Sequence, residues 1–227
     1  MFDLFKPTPK WVIEQVRKGV DLRGRELRRF DLSHADLRQA RLSGADLSGA
    51  NLCGANLSGA DFSGANLTGA DLSGANLTSA RLGGARLSRA RLEGATLCQA
   101  DLRLAILTGA NLTEAKMERV NLERADLSQA VLVRAGLGGA ELGCANLTGA
   151  NLLEANLERA ALGSANLTDA ELTRANLSVA NLLGANLEQA SLQRANLLGA
   201  KITDMQLFQA RSVNHATLPD GAMATDV

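Results

Sequence analysis

The chain has 227 residues and a formal net charge of zero, with 24 Lys and Arg against 24 Asp and Glu. It contains no Tyr, one Trp and five Phe, yet 46% of its residues are apolar, so any core is aliphatic and uniform. Balanced charge gives no global pull toward nucleic acid or an acidic membrane surface, and no apolar run approaches the roughly 20 residues of a membrane span.

The first residues, MFDLFKPTPKW, mix Phe2, Leu4 and Phe5 with charges and lack a basic region followed by an apolar run. No signal peptide is expected. Thr8 before Pro9 reads as a helix start, with Thr as N-cap and Pro in the first turn. A short helix over residues 10–18 comes next, with Trp11, Val12 and Val16 on adjoining sides and Gly19 as its stop. So short a helix is marginal alone. It is expected to pack on the open first coil of the repeat array that begins at Val20, capping it. The bulky Val20 and Phe30, where Ala is usual, fit that transition.

From Val20 onward the chain repeats every five residues. Leu occupies each fifth position from Leu22 to Leu207, except at Phe62, Met117 and Ile202. The position two before it is Ala, except at Val20, Arg25, Phe30, Val120 and Met205. The purest stretch, residues 40–80, repeats Ala-(Asp/Asn)-Leu-(Ser/Thr)-Gly. A period of five leaves no stripe on an α-helix, because each step turns by about 140°. Nor does it match the period of two of a flat strand. Within each unit, however, Ala-x-Leu is an in-out-in alternation, and the next two residues are turn formers. Fifteen of the 22 glycines fall at the second turn position, where positive φ is easily tolerated. A short edge and a corner, repeated, close into a polygonal coil with Ala and Leu inside.

With its A(D/N)LXX motif over residues 20–209, the chain resembles the pentapeptide-repeat protein family. The resemblance implies an all-β fold: a right-handed quadrilateral β-helix of four units, or twenty residues, per coil. Residues twenty apart support this independently. Asp21, Arg41, Asp61, Arg81 and Asp101 alternate in sign, as do Glu114, Arg134, Glu154 and Arg174. Asn146, Asn166 and Asn186 form one amide column and Asn156, Asn176 and Asn196 another, and stacked amides can bond along a column. The resulting organisation is an arm and capping helix over residues 1–19, a β-helix of about nine to ten coils over 20–209, and a tail over 210–227. In the tail, Ser212 and Thr217 stand where Leu is expected, and Pro219-Asp220-Gly221 reads as a turn.

No catalytic constellation emerges, and an enzyme is not expected. Cys53, Cys98 and Cys144 form neither a disulfide nor a metal-ligand pattern, which fits a reducing, cytoplasmic setting. Cys53 stacks above Ser33, diagonal to His34, but no third group orients this pair. No metal or cofactor is expected. The best-known biochemical role in the family is mimicry of duplex DNA toward DNA gyrase or topoisomerase IV. Such mimicry needs a strongly negative rod, about one charge per 1.7 Å. Here each face of the coil balances its charges to within one. The Arg17, Lys18, Arg23, Arg25, Arg28 and Arg29 cluster has no interleaved aromatics for stacking bases.

Outward apolar residues are the remaining signal. Val131, Val133 and Leu153 fall on one face, with Val179, Leu183 and Leu198 round the corners toward the C-terminal half. Such a patch can mark a partner surface. The sequence therefore points to a non-enzymatic scaffold or regulator binding an unidentified protein. A type II topoisomerase is the alternative partner, and neither nucleic acid nor membrane is expected. Homodimerisation stays open, although gyrase-acting members are thought of as dimers joined through C-terminal helices and this tail shows no amphipathic helix.

Overall fold

The computed structural model describes residues 8–225, so Phe2, Leu4 and Phe5 lie outside the described residues. The inward assignment of Ala and Leu follows the sequence pattern closely. At the two inward repeat positions the leucines from Leu22 to Leu197 are buried, as are the alanines from Ala35 to Ala200, with Phe62 and Met117 filling leucine positions and Val120 an alanine one. The residue between them forms a parallel bridge to its counterpart twenty residues later, from Glu26 with Asp46 to Asn181 with Lys201. Four five-residue units thus complete one turn of a β-helix.

The backbone bonds of one unit explain why the repeat reads as it does. The Asp126 N–H donates to Ala105 O at 2.9 Å and the Leu127 N–H to Asn146 O at 2.7 Å. The Gln129 N–H donates to Thr148 O at 2.9 Å, and the Ala130 N–H closes the turn on Leu127 O at 3.0 Å. The remaining donor, the Ser128 N–H, reaches the Asp126 carboxylate at 3.0 Å. Every N–H of the unit is satisfied, as a closely packed coil demands. The Asp or Asn of the motif is therefore a turn cap, its side chain bonding the N–H two residues on. Asn146 and Asn166 do the same, for the Thr148 and Thr168 N–H groups. The second turn residue of every unit from Gly24 to Gly199 has positive φ, whether or not it is glycine. Non-glycine residues there, such as Arg174 at 58°, accept the left-handed conformation because the coil leaves no other.

Helix α1 spans Pro9–Arg17. Thr8 Oγ1 accepts from the Trp11 N–H at 3.2 Å. Val12 is fully buried in the core, while Trp11, Ile13, Val16 and Phe30 pack partly against it. Arg25, one of the breaks in the alanine column, holds its guanidinium 6.0 Å from the Trp11 ring centroid, within cation–π range. Val20, by contrast, is exposed.

The C-terminal end corrects the sequence reading. The five-residue register, expected to run to Leu207, breaks after Ile202. Helix α2 spans Asp204–Gln209, capped by a reciprocal pair: Thr203 Oγ1 accepts the Gln206 N–H, and Gln206 Oε1 accepts the Thr203 N–H. Gln206 is buried and its Nε2 donates to Leu182 O at 2.6 Å and Ala185 O at 2.8 Å. At Ala185 it satisfies a carbonyl that a further coil would have bonded, while the Leu182 carbonyl already accepts the turn bond from the Ala185 N–H. Beyond α2 the bridges join residues 21 apart, Ser191 with Ser212 and Asn196 with Thr217. The one-residue shift places Ser212 and Thr217 at outward positions, so they do not replace Leu. An antiparallel bridge between Thr217 and Met223 then folds the last residues back over that edge. The Ala224 N–H donates to Ala216 O, and the Leu218 N–H to Ala222 O. This pairing covers strand edge that would otherwise invite further strands.

Candidate interaction surface

Because Ala and Leu are committed to the core, individuality resides in the outward letters. The six apolar residues singled out from the sequence do not lie on one flat face. Val131 is at an outward bridge position, and Val133 and Leu153 occupy the same turn position of successive coils; all three are half-buried. Val179 and Leu198 meet at the next corner, where the Val179 N–H donates to Leu198 O at 2.9 Å, and both are exposed. Leu183, also exposed, sits at the corner after that.

Two of these residues are at odds with their backbone. Val179 has a φ of 59°, a conformation in which a β-branched residue is a real outlier. It is nevertheless 53% exposed, so no core contact compensates. Val131 stands where Asp or Asn would bond the turn, and among the described residues no side-chain acceptor reaches the Val133 N–H.

The sequence reading did not single out five further exposed residues. Leu104 has a φ of 59° and is 61% exposed, and Ile106 beside it occupies an outward bridge position. Leu104 interrupts a column of glycines and is followed in it by Arg124, and Ile106 interrupts a polar column, so the signal was readable. Met205 and Phe208 project from α2, with Phe208 86% exposed, and Met223 joins them at the C-terminal end. Leu207, Val213 and Leu218 line a groove beside Phe208 and Met223. That group was hidden by the assumption that the register persisted.

The charge columns are partly realised. Arg41 pairs with Asp21 at 3.5 Å and Arg174 with Glu154 at 3.1 Å, and Arg134 pairs with Glu114. Arg103 instead turns back on Asp101 of its own unit, at 2.6 Å. Of the amide columns, Asn156, Asn176 and Asn196 bond directly, at 3.1 and 3.2 Å. In the other column, Asn166 and Asn186 donate to the hydroxyls of Thr148 and Thr168.

Asp21 is held below the usual carboxylate range by hydrogen bonds from the Arg23 side chain and backbone. At Asp61 and Asp71 partial burial pushes the other way, but bonds from Ser63 and Ser73 outweigh it and the carboxyls stay low. Burial, reinforced by the bond from Cys98 Sγ to Glu118 Oε2 at 3.0 Å, pushes the Cys98 thiol up, away from nucleophilic thiolate. The His34 N–H donates to Cys53 O, while its imidazole lies over Gly54. Among the described residues no group of three or more His, Cys, Asp or Glu gathers as a metal site. No helix among them is long and apolar enough to cross a membrane.

Comparison with known proteins agrees with this architecture. The pentapeptide-repeat family model matches in eight copies that together span residues 18–204. No curated protein matches. The crystal structure of HetL, a pentapeptide-repeat protein involved in heterocyst differentiation regulation from the cyanobacterium Nostoc sp. strain PCC 7120, is similar at 35% identity. The match covers 96% of this chain and 100% of HetL, with a TM-score of 0.65. Full-length QnrB1, a plasmid-mediated fluoroquinolone resistance protein, matches at 17% identity over 88% of this chain and 92% of its own, with a TM-score of 0.69. At that identity the likeness speaks for the fold alone. With the family model matching from residue 18 to 204 and the twenty-residue coil it implies present, this chain belongs to the pentapeptide-repeat family.

Proposed function

We propose that the chain is a non-enzymatic, rigid solenoid of about nine to ten coils, capped by α1, that acts in the cytoplasm as a protein-binding scaffold or regulator. Val131, Val179 and Leu104 carry this reading: each exposes apolar surface where the local backbone favours Asn or Gly. Departures from local consistency without a packing gain mark functional positions. The regulatory involvement of HetL, similar along the whole chain, supports the regulator reading. Photo-crosslinking residues placed singly at positions 131, 179 and, as a control, 63 test it in extracts of the source cells. Discrete protein adducts from 131 or 179 but not from 63 are expected, whereas equal labelling from all three overturns the reading.

The alternative, a DNA-mimicking binder of gyrase or topoisomerase IV, is favoured by the rod itself, a continuous stack of coils from Glu26 to Lys201. Its carboxylates, however, are widely paired with arginines, as at Asp46 with Arg28 and Asp71 with Arg91, which removes the negative stripe that mimicry requires. A gyrase supercoiling assay with and without a fluoroquinolone decides it. Unchanged activity across a protein titration is expected, and inhibition or rescue at micromolar concentration makes the topoisomerase reading the correct one.

A further inference from the structure

The corner that carries Val133 and Leu153 also carries a ladder of charges. Its second turn position reads Glu114, Arg134, Glu154, Arg174, Arg194 in successive coils, followed by His215 one residue out of step. Where the ladder forms ion pairs, the arginine bonds the acid one coil toward the N-terminus: Arg134 to Glu114 and Arg174 to Glu154. At Arg194 the rule fails, because the side chain one coil earlier is Arg174. Arg194 makes no ion pair among the described residues. Here an open groove forms, lined by Thr173, Arg174, Gln193, Arg194, Asn214 and His215. The two arginines stand on backbones about one coil rise, some 4.8 Å, apart, so their like charges disfavour each other. Two acids of the adjoining units are engaged elsewhere, Glu154 with Arg174 and Glu171 with Arg211 at 3.5 Å. Thr173 Oγ1 and Ser191 Oγ bond each other at 3.1 Å on the adjoining face.

We propose that this corner is a docking site for an acidic segment of a protein partner, with a carboxylate of that segment supplying the rung that Arg194 lacks. The proposal rests on the protein-binding reading above and gives it a polarity. Leu153 lies two coils before Arg194, about 10 Å, which an extended chain spans in roughly three residues. The segment therefore carries an apolar residue and, about three positions on, one or more carboxylates. Charge complementarity to Arg194 calls for an acidic segment, and a protein rather than nucleic acid is favoured because the corner offers apolar valine and leucine rather than stacking aromatics. Arginine provides a planar fork suited to bidentate carboxylate binding.

Fluorescence anisotropy of the full chain with a labelled Leu-Gly-Gly-Glu-Glu peptide tests the site, with the Gln-Gln peptide as its neutral twin. The acidic peptide is expected to bind more tightly than the twin and to weaken as salt rises. Arg194→Glu should reduce affinity by about tenfold, or 1.4 kcal/mol, while Arg89→Glu at another corner leaves it unchanged and circular-dichroism melts show both variants folded. Equal binding of the two peptides, or no loss in Arg194→Glu, overturns the proposal. So does displacement of the peptide by equimolar inorganic phosphate, which would make this a small-anion site. The two readings separate in the Val133→Ser/Leu153→Ser variant. If it binds normally while Arg194→Glu does not, the apolar surface at this corner is refuted and the anion site stands. The reverse pattern refutes the anion site and keeps the surface.

Discussion

Asp and Asn dominate the outward bridge position because one side-chain oxygen completes the hydrogen bonding of the turn, as Asp61 does for the Ser63 N–H and hydroxyl at 3.0 and 2.6 Å. The bond also fixes how the protein responds to acid. The Asp61 and Asp71 carboxyls are lowered in the folded state. A lowered carboxyl stabilises the fold above its unfolded value near 4, and that contribution is lost as pH falls through the lower folded value. The melting temperature is therefore expected to hold from pH 7 to about 5 and to fall below about pH 4. In an Asp61→Asn/Asp71→Asn variant, which keeps the turn acceptor without the charge, the acid fall should be shallower. An equally steep fall would assign acid sensitivity to other groups. None of this capping was evident from the repeat, which shows that Asp and Asn are interchangeable there but not what they bond.

At the scale of elements, the coil was legible and its C-terminal end was not. A period of five with small and large apolar residues at fixed offsets admits few solutions, and the alternating columns pointed to twenty residues per turn. The α2 segment was masked because Leu207 falls on the five-residue register by coincidence. Two local signals stood against it: Met205 breaks the alanine column, and Thr203 followed three residues later by Gln206 is a helix-start signature. The interior of the last coil depends on this helix, because Gln206 reaches in from the side to give the Ala185 carbonyl its partner and the Leu182 carbonyl a second one beside the Ala185 N–H. Gln206→Leu keeps the volume but leaves the Ala185 carbonyl unpaired, while the Leu182 carbonyl keeps its bond from the Ala185 N–H. It should destabilise by about 1–3 kcal/mol in a urea melt, and an unchanged midpoint would show that water replaces the amide. The apolar group of Met205, Phe208 and Met223 was illegible for the same reason, since its exposure depends on α2 and the antiparallel return rather than on the repeat.

The whole molecule is a one-dimensional stack in which each coil contacts only its neighbours. Its stability is spread along the array, so a mid-array truncation such as Leu127→Ala, at a fully buried site, should cost about 2–5 kcal/mol. A melting temperature unchanged by that substitution would contradict the inward assignment. A protein-binding role requires that certain outward side chains be kept against the interest of this stack. Of the candidate surface, the valines and leucines themselves were legible as interruptions of polar or glycine columns. Their cost was not, because it depends on the positive φ at Val179 and Leu104 and on the turn bond that Val131 forgoes. Restoring the repeat should recover that cost. Glycine relieves the left-handed strain of about 1–2 kcal/mol per site, and Asn at 131 adds a turn bond of about 1 kcal/mol. The direct measurement is the thermal midpoint of a Leu104→Gly/Val131→Asn/Val179→Gly triple variant beside the parent chain. A higher midpoint is expected for the variant, and a lower one would show that these residues serve the fold and contradict their assignment to a partner.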